Sequence, residues 1–213
     1  QFLDRKTARR MDRFSHLGVA AAMLGFEDSG IKGTVTPDRM GVIIGSGIGG
    51  IQTLEDQILV MNEKGSRRVS PFLIPMMMPN AAPAAVSMIH GFQGPAENTC
   101  TACAAGTHAL ANAARLIAYG RCDVVLAGGS EAPFVDAAVA GFTNMTAFSS
   151  AGISRPFDAE RDGFVMGEGA GVLVLEDWET AEAHVLTTQE VLADPDLYQD
   201  PEKAAASVAD HDT

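Results

Sequence analysis

Two cysteines lie three residues apart in the stretch NTCTACAAGTHAL, residues 98–110, and a run of very small residues follows them. Thiols at this spacing can bind a metal, form a redox pair, or supply one nucleophile beside an ordinary neighbour. The metal and redox interpretations are weak, because there is no second C-x-x-C pair and Cys122 stands alone. The pattern AENTCTA also predicts that Cys100 lies in a strand, away from a helix start. We therefore predict no metal site.

Cys103 fits the nucleophile interpretation best. The pattern predicts a strand, a turn at Cys103 and then a helix of small residues that leaves the sulfur uncovered. At a helix N-terminus the dipole favours the thiolate, and the Cys103 backbone N–H is free to donate to an oxyanion. Such a thiolate suits acyl transfer, because a thioester forms and leaves readily. Cys100 and Cys122 are better explained as buried small hydrophobic residues.

The elements around Cys103 alternate between strands and helices. Apolar runs predict strands at residues 40–44, in AENTCTA and in CDVVLAGGSE, while FVMGEGAGVLVLED predicts two strands around a glycine turn or a loop over VMGEGAG. Helical periodicity marks one helix from the N-terminus to Gly30, another in GGIQTLEDQILVMNEKG, a third after Pro83 and a fourth after Cys103. This alternation indicates a layered α/β domain.

The glycine turn VIIGSGIGG contains G-x-G-x-x-G at Gly45, Gly47 and Gly50, a pattern typical of dinucleotide-binding folds. That interpretation also requires a second strand that ends in an acidic residue about 20 residues further on. The candidate acid is Glu63, but the intervening periodicity is helical and leaves no room for a strand. We therefore interpret the motif as a tight strand-to-helix turn, in which the glycines allow backbone or ligand to approach closely.

Charge is distributed unevenly. The net charge is -12, and residues 176–213 hold 11 of the 27 acids but only one of the 15 Lys and Arg residues. The basic residues near the N-terminus are too few for a nucleic-acid surface, and acids interrupt them, but they suit a small acidic partner.

No run approaches the roughly 20 apolar residues of a membrane helix. An odd cysteine count without a secretory pattern favours reduced thiols, so we expect a cytoplasmic protein with neither membrane nor nucleic acid as partner.

Several long motifs occur in the order typical of beta-ketoacyl-acyl carrier protein synthases: GSGIGG, NTCTACAAGTHALANAARLIAYGRCDVVLAGGSE and SRPFDAERDGFVMGEGAGVLVLE. The chain resembles most closely the elongating type II enzymes of bacterial fatty acid synthesis, from about residue 5 to about residue 183. The resemblance implies the N-terminal half of a thiolase-like α/β/α sandwich, usually a homodimer. It also implies acyl transfer to the enzyme and decarboxylative condensation with malonyl-acyl carrier protein, without a cofactor.

The resemblance further implies roles for individual residues. Cys103 is the acyl-accepting nucleophile and its amide is one half of the oxyanion hole, while Ile48 and Phe142 line the acyl pocket. Leu73 stands where relatives often have an aromatic residue near the dimer partner's pocket, and Thr146 replaces a basic docking position of some relatives. The remaining basic positions that dock the acidic acyl carrier protein are Lys6, Arg9, Arg10, Arg67 and Arg68.

The chain departs from the family pattern in its second part. The family carries two catalytic histidines in HGT and GH motifs, a lysine and a GFGG turn in its second half, and none of these motifs occurs here. By this pattern His108 is structural. We expect a beta-ketoacyl synthase domain at residues 1–183, truncated at both ends, and an acidic tail at residues 184–213 that does not match the family. Condensation by the chain alone should be slight, because the histidines stabilise the developing charges.

Two alternative functions stay open. A polyketide ketosynthase runs the same chemistry on another pathway. A non-catalytic ketosynthase-like partner subunit is less consistent with the sequence, because such subunits usually replace the nucleophile and Cys103 is intact.

Overall fold

A four-stranded sheet lies at the centre of the chain in the computed structural model, which describes residues 3–183. The strands are β1 (Met40–Gly45), β2 (Ala96–Glu97), β3 (Val124–Glu131) and β4 (Gly169–Glu176), in the order β2-β1-β3-β4. β1 runs parallel to β2 and β3, whereas β4 runs antiparallel to β3 along its whole length. The predicted acidic tail, residues 184–213, lies outside the described residues.

Helices cover both faces of this sheet. In the described part they are α1 (Arg5–Ala8), α2 (Arg13–Asp28), α3 (Ile51–Lys64), α4 (Leu73–Met77), α5 (Ala81–His90), α6 (Ala105–Ala118) and α7 (Asp136–Asn144). Val42 and Ile44 of β1 pack with α2 and α5, whereas Ile43 faces α6. Burial on both faces explains the uninterrupted apolar sequence of this strand. The predicted layered α/β architecture is confirmed.

The helix predicted from the N-terminus to Gly30 is two helices, α1 and α2, and the continuous prediction was wrong. The buried Asp12 carboxylate causes the break. It accepts a hydrogen bond from the Phe14 N–H at the start of α2 (3.3 Å) and others from the Thr53 N–H and Oγ1 on α3 (2.8 and 2.6 Å). A side chain that caps a helix must precede it, so α2 begins after Asp12.

Other predicted boundaries also need correction. α5 begins at Ala81, two residues before Pro83. The first helical turn tolerates a proline, because the N–H that proline lacks would have no intrahelical partner there. The strand predicted in AENTCTA ends at Glu97, and FVMGEGAGVLVLED supplies one strand, β4, after a loop. Among the helices of residues 3–183, none is long and apolar enough to cross a membrane.

His90, at the end of α5, packs against two aromatic rings that also contact each other. Its ring centroid lies 4.5 Å from that of Phe26 and 5.4 Å from that of Phe92, and its Nε2 atom is buried without a hydrogen-bond partner. Burial lowers the pKa of His90, and the negative charge of Glu27 offsets this only in part. The folded chain therefore holds His90 in its neutral form more strongly than the unfolded chain does.

We expect the His90→Phe variant to lose stability less steeply than the wild type as the pH falls below about 6.5, the ordinary pKa of histidine. Above that pH the histidine is neutral in both states. Below it the unfolded chain takes up the proton first, so wild-type stability declines as the pH approaches the lower folded pKa. Melting temperatures across this range test the prediction, with exposed His108→Gln as the control. Equal slopes for wild type and His90→Phe would contradict it.

Candidate active site

Glycines at the end of β1 and within β3 let the N-terminus of α6 approach the sheet by backbone contact. A Cβ placed on Gly45 would overlap the carbonyl of Ala105, and one placed on Gly129 would lie 2.9 Å from the Cα of Gly106. The interpretation of the glycine turn as a place of close approach is thus confirmed. Glu63, the acid that a dinucleotide site would need, lies inside α3 and does not end a second strand.

Cys103 lies in a tight turn immediately before α6. Ala102 has a φ of 51°, in the left-handed region that residues with a Cβ rarely adopt. The Ala104 N–H donates to the Thr101 carbonyl (3.2 Å), and the Ala105 N–H donates to the Ala102 carbonyl (3.0 Å). The turn leaves Cys103 exposed, two residues before the helix begins. The structure thus places the thiol at the helix entrance, and its chemical role stays a prediction.

A cavity of about 890 Å³ opens beside Cys103. Its lining includes Ile48 from the glycine turn, Ile51 from the first turn of α3, and Phe142 from α7. The structure therefore brings the proposed nucleophile together with both residues assigned to the acyl pocket. Most other lining residues are glycine, alanine or larger apolar residues, which suits a long apolar ligand.

Glu131, the last residue of β3, holds the glycine turn in place. Its carboxylate accepts hydrogen bonds from the Ser46 hydroxyl (2.9 Å) and the Gly47 N–H (2.6 Å). The Ser46 hydroxyl oxygen in turn accepts a hydrogen bond from the Gly49 N–H (2.8 Å). These bonds fix the backbone on both sides of Ile48. Glu131 and Ser46 were not predicted from the sequence, although a carboxylate at the end of a buried strand is a signal that could have been pursued.

Three aromatic rings pack together beside the cavity. The Phe142 ring lies edge-on to the Phe164 ring at a centroid distance of 5.2 Å, and Phe148 lies 5.3 Å from Phe164. Phe142 and Phe164 both line the cavity. Phe164 comes from the loop before β4, so this wall depends on the conformation of that loop.

The Asp162 carboxylate joins the same loop to residues 149–151. It accepts hydrogen bonds from the hydroxyl groups of Ser149 (2.6 Å) and Ser150 (2.7 Å) and from the Ala151 N–H (3.2 Å). These donors, the two hydroxyl groups above all, hold the pKa of Asp162 well below the usual range of an aspartate. Asp162 was not predicted from the sequence, because its partners lie more than ten residues away.

The other cysteines occupy different environments. Cys122 is buried as predicted, and burial raises the pKa of its thiol. Cys100 is exposed, and its thiol donates to the Gly47 carbonyl at 3.4 Å, so the prediction that it is a buried hydrophobic residue was wrong. The strand expected to bury it ends three residues earlier. His108 is exposed on α6, and residues 3–183 contain no cluster of three potential metal ligands among His, Cys, Asp and Glu.

The residues assigned to carrier docking all lie on the surface. The Arg10 guanidinium lies 4.8 Å from the centroid of the Phe72 ring. This contact joins the segment that follows α1 to the segment that follows Arg68. Leu73 is half-buried at the start of α4, and Thr146 is exposed. The exposed basic residues are Lys6, Arg9, Arg10, Arg67 and Arg68.

Comparisons with curated proteins point to one family. Residues 2–181 match the model of the beta-ketoacyl synthase N-terminal domain. The chain is 46% identical to a 3-oxoacyl-[acyl-carrier-protein] synthase 2 from Synechocystis sp., over 85% of this chain and 45% of the relative. It is 45% identical to a Staphylococcus aureus protein of the same name, over 85% of this chain and 46% of the relative. The chain thus spans about half the length of the curated relatives it matches.

Solved structures agree with this assignment. A beta-ketoacyl synthase from Burkholderia phymatum superposes with a TM-score of 0.75 at 37% identity, over 85% of this chain and 46% of that chain. A type II PKS ketosynthase in complex with its acyl-carrier protein superposes with a TM-score of 0.76 at 29% identity, over 81% of this chain and 45% of that chain. The layers described above therefore correspond to the N-terminal half of a thiolase-like ketosynthase. This chain belongs to the beta-ketoacyl synthase family and carries its N-terminal domain.

Proposed function

We propose that this chain is the acyl-accepting part of a 3-oxoacyl-[acyl-carrier-protein] synthase, an acyltransferase that elongates fatty acids. The observation that carries the proposal is the exposed Cys103 thiol beside an apolar cavity that Ile48 and Phe142 line. The names of the curated relatives support this reaction class. We also propose that residues 1–183 form the synthase domain and that residues 184–213 are an acidic tail that does not match the family.

In the first half-reaction, the Cys103 thiolate attacks the carbonyl carbon of an acyl group carried as a thioester. A C–S bond forms at Sγ, the C–S bond to the carrier breaks, and the carrier thiolate leaves and takes up the proton that Cys103 gave up. The positive end of the α6 dipole favours negative charge at this position, and the Cys103 amide donates to the oxyanion. The acyl chain occupies the apolar cavity.

In the second half-reaction, a malonyl thioester loses carbon dioxide, and the electron pair left on carbon attacks the acyl carbonyl. The new C–C bond forms as the C–S bond to Cys103 breaks, which restores the thiolate. By the family resemblance, histidines of the second half of the fold stabilise these charges, and their HGT and GH motifs do not occur in this sequence. We therefore assign acyl transfer, and little or no condensation, to this chain alone.

Incubation with an acyl-carrier thioester and a malonyl-carrier thioester tests this division of labour. We expect release of the first carrier's thiol and a matching mass gain on the chain, with almost no 3-oxoacyl product. Condensation at the rate of an intact synthase would contradict the assignment of the second step. A folded chain that releases no carrier thiol would contradict the first.

The acidic acyl carrier protein is the partner that we propose for the exposed basic residues. A structural neighbour is a ketosynthase in complex with its acyl-carrier protein, which supports this choice. Arg67 and Arg68 are exposed, and Arg10 packs against Phe72, four residues after Arg68. Such rim charges act mainly by steering the partner and by fixing its register.

We expect the double variant Arg67→Glu, Arg68→Glu to raise the KM for an acyl-carrier thioester by roughly tenfold at low salt, since like charges then face each other. Acyl transfer from a small thioester without a carrier protein should not change. The double variant Arg115→Glu, Arg121→Glu reverses two other exposed charges and is the charge-matched control. Equal losses with both kinds of substrate would show that the variant damages the domain and not docking.

Fatty acid elongation is favoured over the two alternatives. The curated relatives at 45–46% identity are named for acyl-carrier-protein synthases, whereas the type II PKS neighbour is only 29% identical. The intact and exposed Cys103 argues against a non-catalytic partner subunit.

We also propose a homodimer as the state of the intact protein. Exposed apolar side chains around α4 support association, because Phe72, Ile74 and Met78 are 38%, 60% and 41% exposed. Light scattering of the protein tests this assignment, with a monomer at all concentrations as the contradicting result.

The three free thiols agree with a reducing compartment, and we propose the cytoplasm.

A further inference from the structure

One part of the cavity lining comes from α7. The lining residues of this segment recur at intervals of three and four, which places them on one face of the helix. They are Ala138, Gly141 and Phe142 of α7 and Met145, the residue that follows it. Another part of the lining comes from Ile48 and from Ile51 in the first turn of α3. The position of α7 relative to α3 therefore helps to set the shape of the cavity.

α7 has little in its own sequence to hold it there. None of the nine residues in this helix is buried. The residue at its N-cap position is Val135, whose side chain cannot accept a hydrogen bond from the free amides of the first turn. A helix this short is not stable in water without partners, so its position depends on contacts with other elements.

Glu55 on α3 supplies the cap that α7 lacks. Its two carboxylate oxygens accept hydrogen bonds from the backbone N–H groups of Asp136 (3.0 Å) and Ala137 (2.8 Å). Both bonds are charge-assisted, and the carboxylate lies at the positive end of the α7 dipole. Glu55 follows Ile51 by one helical turn, so both lie on the same side of α3. The side chain therefore connects the two helices that contribute to the cavity.

We propose that Glu55 is a positioning residue that sets the acyl-chain selectivity of Cys103 by fixing α7 against α3. This rests on the proposed function, since it takes the cavity to be the acyl site. Glu55 is not among the residues that line the cavity, so it acts through α7 and does not touch the acyl chain. Loss of the Glu55 carboxylate should reduce the discrimination between acyl chain lengths and leave the Cys103 nucleophile in place.

Hydrogen exchange and acyl competition on the 213-residue chain test the proposal together. In Glu55→Ala, the amides of α7 should exchange faster, and those of Asp136 and Ala137 should lose protection most. When short, medium and long acyl-carrier thioesters compete, the preference for the best chain length over the poorest should fall by roughly fivefold, the effect of losing about one helix cap. Glu55→Gln keeps one acceptor oxygen and should lie between wild type and Glu55→Ala. Asp56→Ala, which removes the neighbouring exposed charge, should behave as wild type.

The outcomes separate this proposal from the proposed function. Wild-type acylation at Cys103 with an unchanged length profile in Glu55→Ala would overturn the positioning role alone. A uniform loss at every chain length would also overturn it, because it would indicate damage to the fold. A wild-type chain that accepts all acyl chain lengths equally would also overturn the positioning role, because the cavity would then not select among them. A folded wild-type chain that is never acylated would overturn the proposed function, and the selectivity role with it.

Discussion

Gly45→Ala is expected to abolish acyl transfer to Cys103 and to destabilise the domain. A Cβ at this position overlaps the Ala105 carbonyl and lies within 2.9 Å of the Gly106 N, both in the first turn of α6. These are backbone atoms and cannot rotate away as a side-chain end could, so α6 must move from β1 and carry the Cys103 turn with it. Overpacking of this kind costs about 1–3 kcal/mol even where side chains can adjust.

Chemical denaturation and acyl uptake measured on the same preparations test this prediction. Gly25→Ala is the matched control, because a Cβ on Gly25 of α2 would meet only ordinary contacts of 3.6 and 3.8 Å. An alanine inside a helix should leave stability equal or slightly higher there. A Gly45→Ala chain with wild-type stability and acyl uptake would refute the close approach of β1 and α6.

Ile48→Trp is expected to block long acyl chains while it leaves acetyl transfer largely intact. Ile48 lines the cavity, and its neighbours hold the backbone in place. The Gly47 N–H donates to Glu131, and the Gly50 N–H donates to the Met77 carbonyl at 3.0 Å. Because the backbone of the turn is fixed, the indole ring of the tryptophan occupies part of the cavity. The uptake of long chains should therefore fall by roughly tenfold or more.

The ratio of long-chain to acetyl transfer measures this effect. Ile58→Trp, on α3, makes the same substitution at a site of similar exposure that does not line the cavity, 44% against 41% for Ile48. The control should keep the wild-type ratio. If Ile48→Trp and Ile58→Trp gave the same ratio, the cavity would not be where the acyl chain binds.

The layers of the fold could be predicted because they depend on local pattern. The apolar runs of β1 and β3 and the periodicity of α3 and α6 each lie within one stretch of sequence. Prediction was wrong where a distant partner decides the conformation. Asp12 begins a new helix because its carboxylate, which caps Phe14, is also held by Thr53, 41 residues away. The strand expected to bury Cys100 ends early, at Glu97.

The same distinction applies to the candidate site. Cys103 could be singled out from its small neighbours and the helix behind it, and the family resemblance named Ile48 and Phe142. The groups that hold these residues in place could not be found in this way. Glu131 is 85 residues from Ser46, and Glu55 is 81 residues from the α7 amide it accepts from. Hydrogen bonds over such separations leave no periodic trace in the sequence.

Mapping the acyl group after incubation with a medium-chain acyl-carrier thioester tests the central claim most directly. We expect a single acyl-sized mass gain on the peptide that contains Cys103, which is lost in Cys103→Ala and kept in Cys100→Ala. The second variant is the matched control, because both thiols are exposed and only Cys103 lines the cavity. An acyl group on Cys100, or a gain that survives Cys103→Ala, would contradict the assignment of Cys103 as the acyl acceptor.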